Sequence, residues 1–167
     1  MTETRRDTLP EHDYASHEHH ELRRGLDRIH DVGALLGNDA ELSLGTLEVL
    51  HWVDSILGPH ALWEDRWLYP EIDQRAGTPW ATKLMSFEHQ QIREAAASVA
   101  TARTIVREAR TPGAVVELRA RLFALEAIIR AHMAREERFL LPLLEAGSSE
   151  AAPPEPQAGS TTPAGAV

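Results

Sequence analysis

The chain of 167 residues contains no cysteine. This excludes a disulfide framework, a thiolate metal site and a cysteine nucleophile, and it fits a reducing compartment. Positive charge is also short: 17 Lys and Arg against 26 Asp and Glu leave a formal net charge of -9 with histidine neutral. A phosphate backbone repels such a chain, so nucleic acid is not an expected partner. No apolar run approaches the length of a bilayer span, and the polar stretch Met1 to Asp13 lacks the apolar centre of a secretory signal. The expectation is a soluble, cytoplasmic protein with no membrane partner. Strand signals are missing too, since no sustained alternation of apolar and polar residues is bounded by hairpin turns. What is present is ordinary for a globular domain: 43% hydrophobic and 26% charged residues, in a length that supports one core.

Four stretches carry helical periodicity. The first runs from about Tyr14 to Leu36, with Leu22, Leu26, Ile29 and Leu36 on one stripe. Gly37-Asn38-Asp39 then supplies a stop. The second runs from about Leu42 to Ile72, with Val49, Val53, Ile56, Trp63 and Trp67 on one face, and Gly58-Pro59 is expected to bend or briefly break it. Gly77-Thr78-Pro79 ends that unit, with Thr78 as N-cap and Pro79 as first residue of a third helix reaching about Ala109. Thr111-Pro112 repeats the start signal for a fourth helix reaching about Ala146. Residues 147–167, dominated by Ala, Pro, Gly, Ser and Thr and free of aromatics, read as a disordered tail. The predicted organisation is a polar lead-in at 1–13, a helical unit at 14–146 and the tail. The fold class is all-α, an up-down-up-down four-helix bundle.

The helices repeat in pairs. His60-Ala-Leu-Trp-Glu64-Asp-Arg-Trp-Leu-Tyr-Pro70 matches His132-Met-Ala-Arg-Glu136-Glu-Arg-Phe-Leu-Leu-Pro142 as His-x-x-x-Glu-acid-Arg-aromatic-Leu-x-Pro. Upstream, Glu18-His19-His20-Glu21-Leu22-Arg23 matches Glu88-His89-Gln90-Gln91-Ile92-Arg93. The chain is thus two similar helical hairpins, 14–72 and 79–146, that pack about a pseudo-two-fold axis.

Helical phase selects the inward histidines. At about 100° per residue, Glu64 lies about 40° from His60, on the same stripe, whereas Asp65 lies about 140° away and should face water. His132 and Glu136 share a stripe with Leu125, Ile128 and Phe139, and Glu137 points out. His89 stands three residues before Ile92, and His19 three before Leu22; His20 falls on the outer face. Four imidazoles and two carboxylates therefore converge: His19, His60, Glu64, His89, His132 and Glu136. Buried carboxylates are costly without a cation, and two divalent metals supply one, each taking two histidines with Glu64 and Glu136 bridging. The mixed ligation with open positions suits non-haem iron; zinc and manganese also accept it.

The other polar residues read as structure. His51 lies opposite His60 in phase, in solvent. His30 is too far along its helix to share the metals and reads as a boundary residue. His12 and His17 fall in the lead-in. Trp63 and Trp67 read as core, with Trp63 walling the pocket. Arg66 and Arg138 read as solvated or carboxylate-paired, and Pro70 and Pro142 as helix ends.

On these residues the chain resembles the hemerythrin-like family, the His-His-Glu cation-binding bundles, over residues 14 to 146. The resemblance implies two non-haem irons, oxo- or hydroxo- and carboxylate-bridged, on the six residues above. It implies a small ligand, O2, NO or peroxide, that the protein binds, senses or reacts with. Two departures stand out. Oxygen carriers have a second His one turn after the third-helix His, where this chain has Arg93; and they space the last His and carboxylate by five rather than four. Each metal then keeps an open position, which favours redox chemistry or sensing over transport. The competing reading is a di-iron enzyme, peroxidase- or catalase-like, NO-reducing or oxidising a small substrate with O2. Such an enzyme needs a cavity beside the metals, near the Gly58-Pro59 break. A ferritin-like bundle ranks lower because its motif is Glu-x-x-His, and a metal-free bundle is the plain alternative.

Overall fold

The computed structural model describes residues 11–35, 39–109 and 111–146, with side chains from 18 to 144. The lead-in to residue 10, Leu36 with the Gly37-Asn38 stop, the tail, and the side chains of His12 and His17 lie outside the described residues.

Four helical rods form the bundle, and no strand occurs among the described residues. The first is α1, Glu11–Ala34. The second is unbroken but not uniform: α2 (Asp39–Trp52), a π turn at Val53–Leu57, α3 (Gly58–Trp63), a second π turn at Glu64–Leu68, and α4 (Tyr69–Ala76). The third is α5, Lys83–Ala109, and the fourth is α6 (Pro112–Arg135), a π turn at Glu136–Leu140 and α7 (Leu141–Ala146). Each rod packs on its sequence neighbours, and α1 closes the square on α6, which is the up-down-up-down arrangement.

Two start signals behave differently. Thr111 caps α6 as expected: it is extended, and its Oγ1 accepts from Ala114 N at 3.2 Å. Thr78-Pro79 does not start the third rod, which begins four residues later at Lys83. Gly77, at φ 66°, closes α4 in the left-handed conformation, with Thr78 N donating to Asp73 O. The Asp73 carboxylate then accepts from both Thr82 N and Thr82 Oγ1, so the new helix is pinned at Thr82.

The π turns account for the prolines and for a one-residue slip in phase. Gly58 N donates to Val53 O, Tyr69 N to Glu64 O and Leu141 N to Glu136 O, each five residues back. Pro59, Pro70 and Pro142 each stand two residues beyond the end of a π turn. There the wide turn has already displaced the α ladder, so the missing proline N–H is tolerated. Pro70 and Pro142 therefore do not end their helices. Each extra residue also rotates the stretch of helix beyond it. Ile56, Trp67 and Phe139, expected inward, are 50%, 59% and 61% exposed, and Leu57, Leu68 and Leu140, one residue on, are buried in their place.

The core falls into two apolar clusters. The larger holds Leu22, Leu26, Ile29, Val49, Val53, Leu57, Ile92, Val99, Leu122, Leu125 and Ile129 among others. The smaller holds Leu68, Tyr69, Ile72, Met85, Leu140, Leu141 and Leu144, with Trp63 against it. Along the second and third rods the inward histidines fall between the two.

Candidate metal centre

Between the apolar clusters lies a polar layer. His19, His60, Glu64, His89, His132 and Glu136 all point into it, none more than 7% exposed. His20 and His51 are exposed, and His30 is largely exposed and bonded to Glu126 at 3.1 Å. The helical i, i+4 spacing brings His60 Nε2 to 2.8 Å from Glu64 Oε1 and His132 Nε2 to 3.6 Å from Glu136 Oε2.

The donors form two triads that share one residue. His19, His60 and Glu64 bring donor atoms within 4.8 Å of one another, and so do Glu64, His89 and His132. Glu64 Oε1 faces His19 and His60, at 3.5 and 2.8 Å, while Oε2 faces His89 at 3.2 Å. Glu136 Oε2 reaches one histidine of each triad, His19 at 3.3 Å and His132 at 3.6 Å. His89 and His132 approach Nε2 to Nε2 at 3.0 Å.

Three of the four rings are hydrogen-bonded from behind, and the fourth has a carboxylate near it. His60 Nδ1 lies 2.7 Å from Glu18, His132 Nδ1 3.1 Å from Glu88, and His19 Nδ1 3.0 Å from Glu137. His89 Nδ1 lies 3.1 Å from Asp65, off the line of a hydrogen bond. Carboxylates behind Nδ1 favour the proton there and turn the Nε2 lone pair inward. The pattern matches the repeat. The Glu of each Glu-His pair supports the later histidine of its own hairpin; the acid after each motif Glu supports the first histidine of the other. Asp65 and Glu137 thus do not simply face water. The π turns begin at Glu64 and Glu136 and swing the next residue toward the neighbouring rod. Among the described residues neither Arg66 nor Arg138 pairs with a carboxylate; each lies over its aromatic neighbour, 5.5 Å from the Trp67 ring and 5.6 Å from Phe139.

One residue breaks the symmetry. Tyr69, whose counterpart is Leu141, is buried and donates its O–H to Glu136 Oε1, with His89 Nε2 at 3.4 Å. Periodicity alone reads this position as apolar filling; the signal in the sequence is the lone hydroxyl at one of two matched positions.

The electrostatics describe a demand for positive charge. Burial opposes a charged His19, but Glu136 and Glu64 outweigh it and push its pKa up to about 10. Burial likewise opposes a charged His60, and Glu18 and Glu64 raise it to about 9. His89 is raised against its burial by Glu64 and Asp65, whereas burial prevails at His132 and lowers it. Burial alone would push Glu64 up, yet His19, His60 and His89 hold it well below the usual carboxylate range. Burial, Glu64 and Glu136 push Tyr69 far above the phenol range, so it keeps its proton. Protons on imidazoles answer two buried carboxylates, and a cation would answer them more directly. Glu64 Oε2 and Glu136 Oε2 are both buried without a hydrogen-bond partner. Nitrogen and carboxylate donors, inward lone pairs and two unsatisfied anionic oxygens fit metal ions.

A cavity of about 220 Å³ abuts this layer beside Gly58, with His60, Glu64, His89 and His132 in its wall. Among the described residues no helix is long and apolar enough to cross a membrane.

No curated protein and no solved structure matches the chain. The family model of the hemerythrin HHE cation-binding domain matches residues 12–144, which span all four rods and all six inward residues. With that coverage and a buried His/Glu cluster able to hold metal, the chain belongs to the hemerythrin HHE cation-binding domain family.

Proposed function

We propose that the protein is a non-haem di-iron protein that binds, senses or reacts with a small ligand of the O2, NO or H2O2 type. The observation that carries the reading is Glu64, whose two oxygens face two different histidine pairs from a fully buried position. One carboxylate between two nitrogen pairs is what a bridged pair of metals requires. His19 and His60 would hold one ion, His89 and His132 the other, with Glu64 and Glu136 shared. Bound iron would supply redox chemistry and open positions for the small ligand. The chain's own part is orientation and exclusion of water. Glu18, Glu88, Glu137 and Asp65 hold the rings, Tyr69 holds a proton toward Glu136, and the two apolar clusters seal the layer.

A second reading, a di-iron enzyme consuming peroxide, reducing NO or oxidising a small substrate, is favoured by the cavity. A diatomic ligand needs far less than about 220 Å³. Metal quantification with an absorption spectrum of the reduced protein, before and after oxygen, tests both readings. The expected result is about two irons per chain, with near-ultraviolet bands of a bridged ferric pair after oxygen and loss of both in Glu64→Ala. Fewer than two ions in iron-replete protein, or an unchanged Glu64→Ala, would sink the di-iron assignment. Reversible oxygenation over many cycles without oxidation would favour carriage over reaction.

A further inference from the structure

The two hairpins repeat each other closely, so their differences are informative. Arg23 and Arg93 occupy matched positions in α1 and α5. Arg23 Nη2 sits 2.5 Å from Glu137, the acid that also holds His19. In the other half that acid is Asp65, one methylene shorter. Its oxygens lie 3.1 Å from His89 Nδ1 and 2.7 Å from Ser86 Oγ, which donates to it. Arg93 has no ion pair or hydrogen bond among the described residues. The shorter acid is matched by an Arg93 without such a pair, which is exposed to solvent and is one of the residues at the edge of the cavity.

The cavity marks the same asymmetry. Where the fourth rod carries Arg130 and Met133, the second carries Gly58 and Ala61. The second rod also has the π turn at Val53–Leu57, which has no counterpart in α6. Leu57, Gly58, Ala61, Ile92 and Met133 make the apolar wall, with the histidine layer on one side. A cavity of about 150 Å³ lined with apolar side chains holds a benzene molecule, and this one is about 220 Å³.

We propose that this cavity is a binding site for a small organic monocarboxylate, its head on the Arg93 guanidinium and its apolar body against Leu57, Ala61, Ile92 and Met133. A guanidinium matches a carboxylate with two parallel hydrogen bonds. Glu64 and Asp65 in the same wall disfavour a second negative group, so the ligand is a monoanion. That such a ligand is a substrate rests on the di-iron reading above; the binding site itself needs only the cavity and Arg93.

Calorimetric titration of benzoate into the full chain tests this, on the iron-loaded and the chelator-treated protein. The expected result is saturable one-to-one binding in both forms, weakened about tenfold or more by Arg93→Met and abolished by Ala61→Leu, which fills the cavity. Circular dichroism checks that both variants fold. Absence of saturable binding to folded protein overturns the proposal, and so does an affinity unchanged in Arg93→Met or Ala61→Leu. Binding that tracks metal content rather than Arg93 also overturns it, because the carboxylate would then sit on the metal. Benzoate binding by a chain that takes up no iron would sink the di-iron reading alone; full iron without benzoate binding would sink this one alone.

Discussion

At the scale of single residues, the centre is built by what stands behind the histidines as much as by the histidines. Glu137 accepts from His19 Nδ1 and is itself held by Arg23, so Glu137→Gln keeps the shape and removes the charge. Loss of such an outer partner weakens metal binding about 10–100-fold. Competition with a chromogenic chelator should show that drop for Glu137→Gln and for Glu88→Gln. Tyr69 makes a different contribution. Its O–H fixes Glu136 Oε1 in a dry environment, and hydrogen bonds to charged groups contribute about 1.5–3 kcal/mol. Tyr69→Phe should lower stability by that amount in urea unfolding of the metal-loaded protein. A change under about 0.5 kcal/mol, the range of neutral surface substitutions, would mean that the bond does not hold Glu136.

At the scale of elements, the π turns decide which residues are core. Leu68 is 1% exposed and Trp67 59% exposed, although uniform helical phase from Val49 onward favours Trp67. Leu68→Ala should destabilise by about 2–5 kcal/mol, whereas Trp67→Ala should cost about 1 kcal/mol or less, mostly its contact with Arg66. Thermal denaturation of the two variants side by side checks the register; equal losses would contradict it. The same elements show how far the sequence could be read. Four rods, their pairing and the six inward residues emerge from periodicity: no π turn precedes His132-Glu136 in its rod, and His60-Glu64, although beyond the turn at Val53–Leu57, keeps the i, i+4 stacking that its spacing predicts. A fixed angle per residue misplaces Ile56, Trp67 and Phe139, because it carries no record of an inserted residue. The record is nonetheless present: a proline within a helical pattern, three times, two residues after each wide turn. Asp65 and Glu137 recur in both copies of the motif, but their role depends on a partner on another hairpin, which local phase does not contain.

At the scale of the molecule, the bundle closes around charge that needs an answer. His19 and His60 have folded pKa values of about 10 and about 9, above the ordinary 6.5. In chelator-treated protein their contribution to stability is fully present below pH 6.5 and fades as pH rises through 9 and 10. Metal needs these rings neutral, so its affinity runs the other way, weakening as pH falls. Melting curves at pH 6, 8 and 10 should therefore show a gap between metal-loaded and chelated protein that widens with pH; a constant gap would show that protons and metal do not compete.

The segment from Gly77 to Thr82 joins the hairpins and contributes nothing to the centre. Its consequence is kinetic and statistical: it holds two halves of one site at a high effective concentration. A chain cut there would leave His19, His60 and Glu64 on one fragment and His89, His132 and Glu136 on the other. Metal would then become the agent of dimerisation. Apparent metal affinity, indifferent to protein concentration in the intact chain, should rise with the concentration of the fragments.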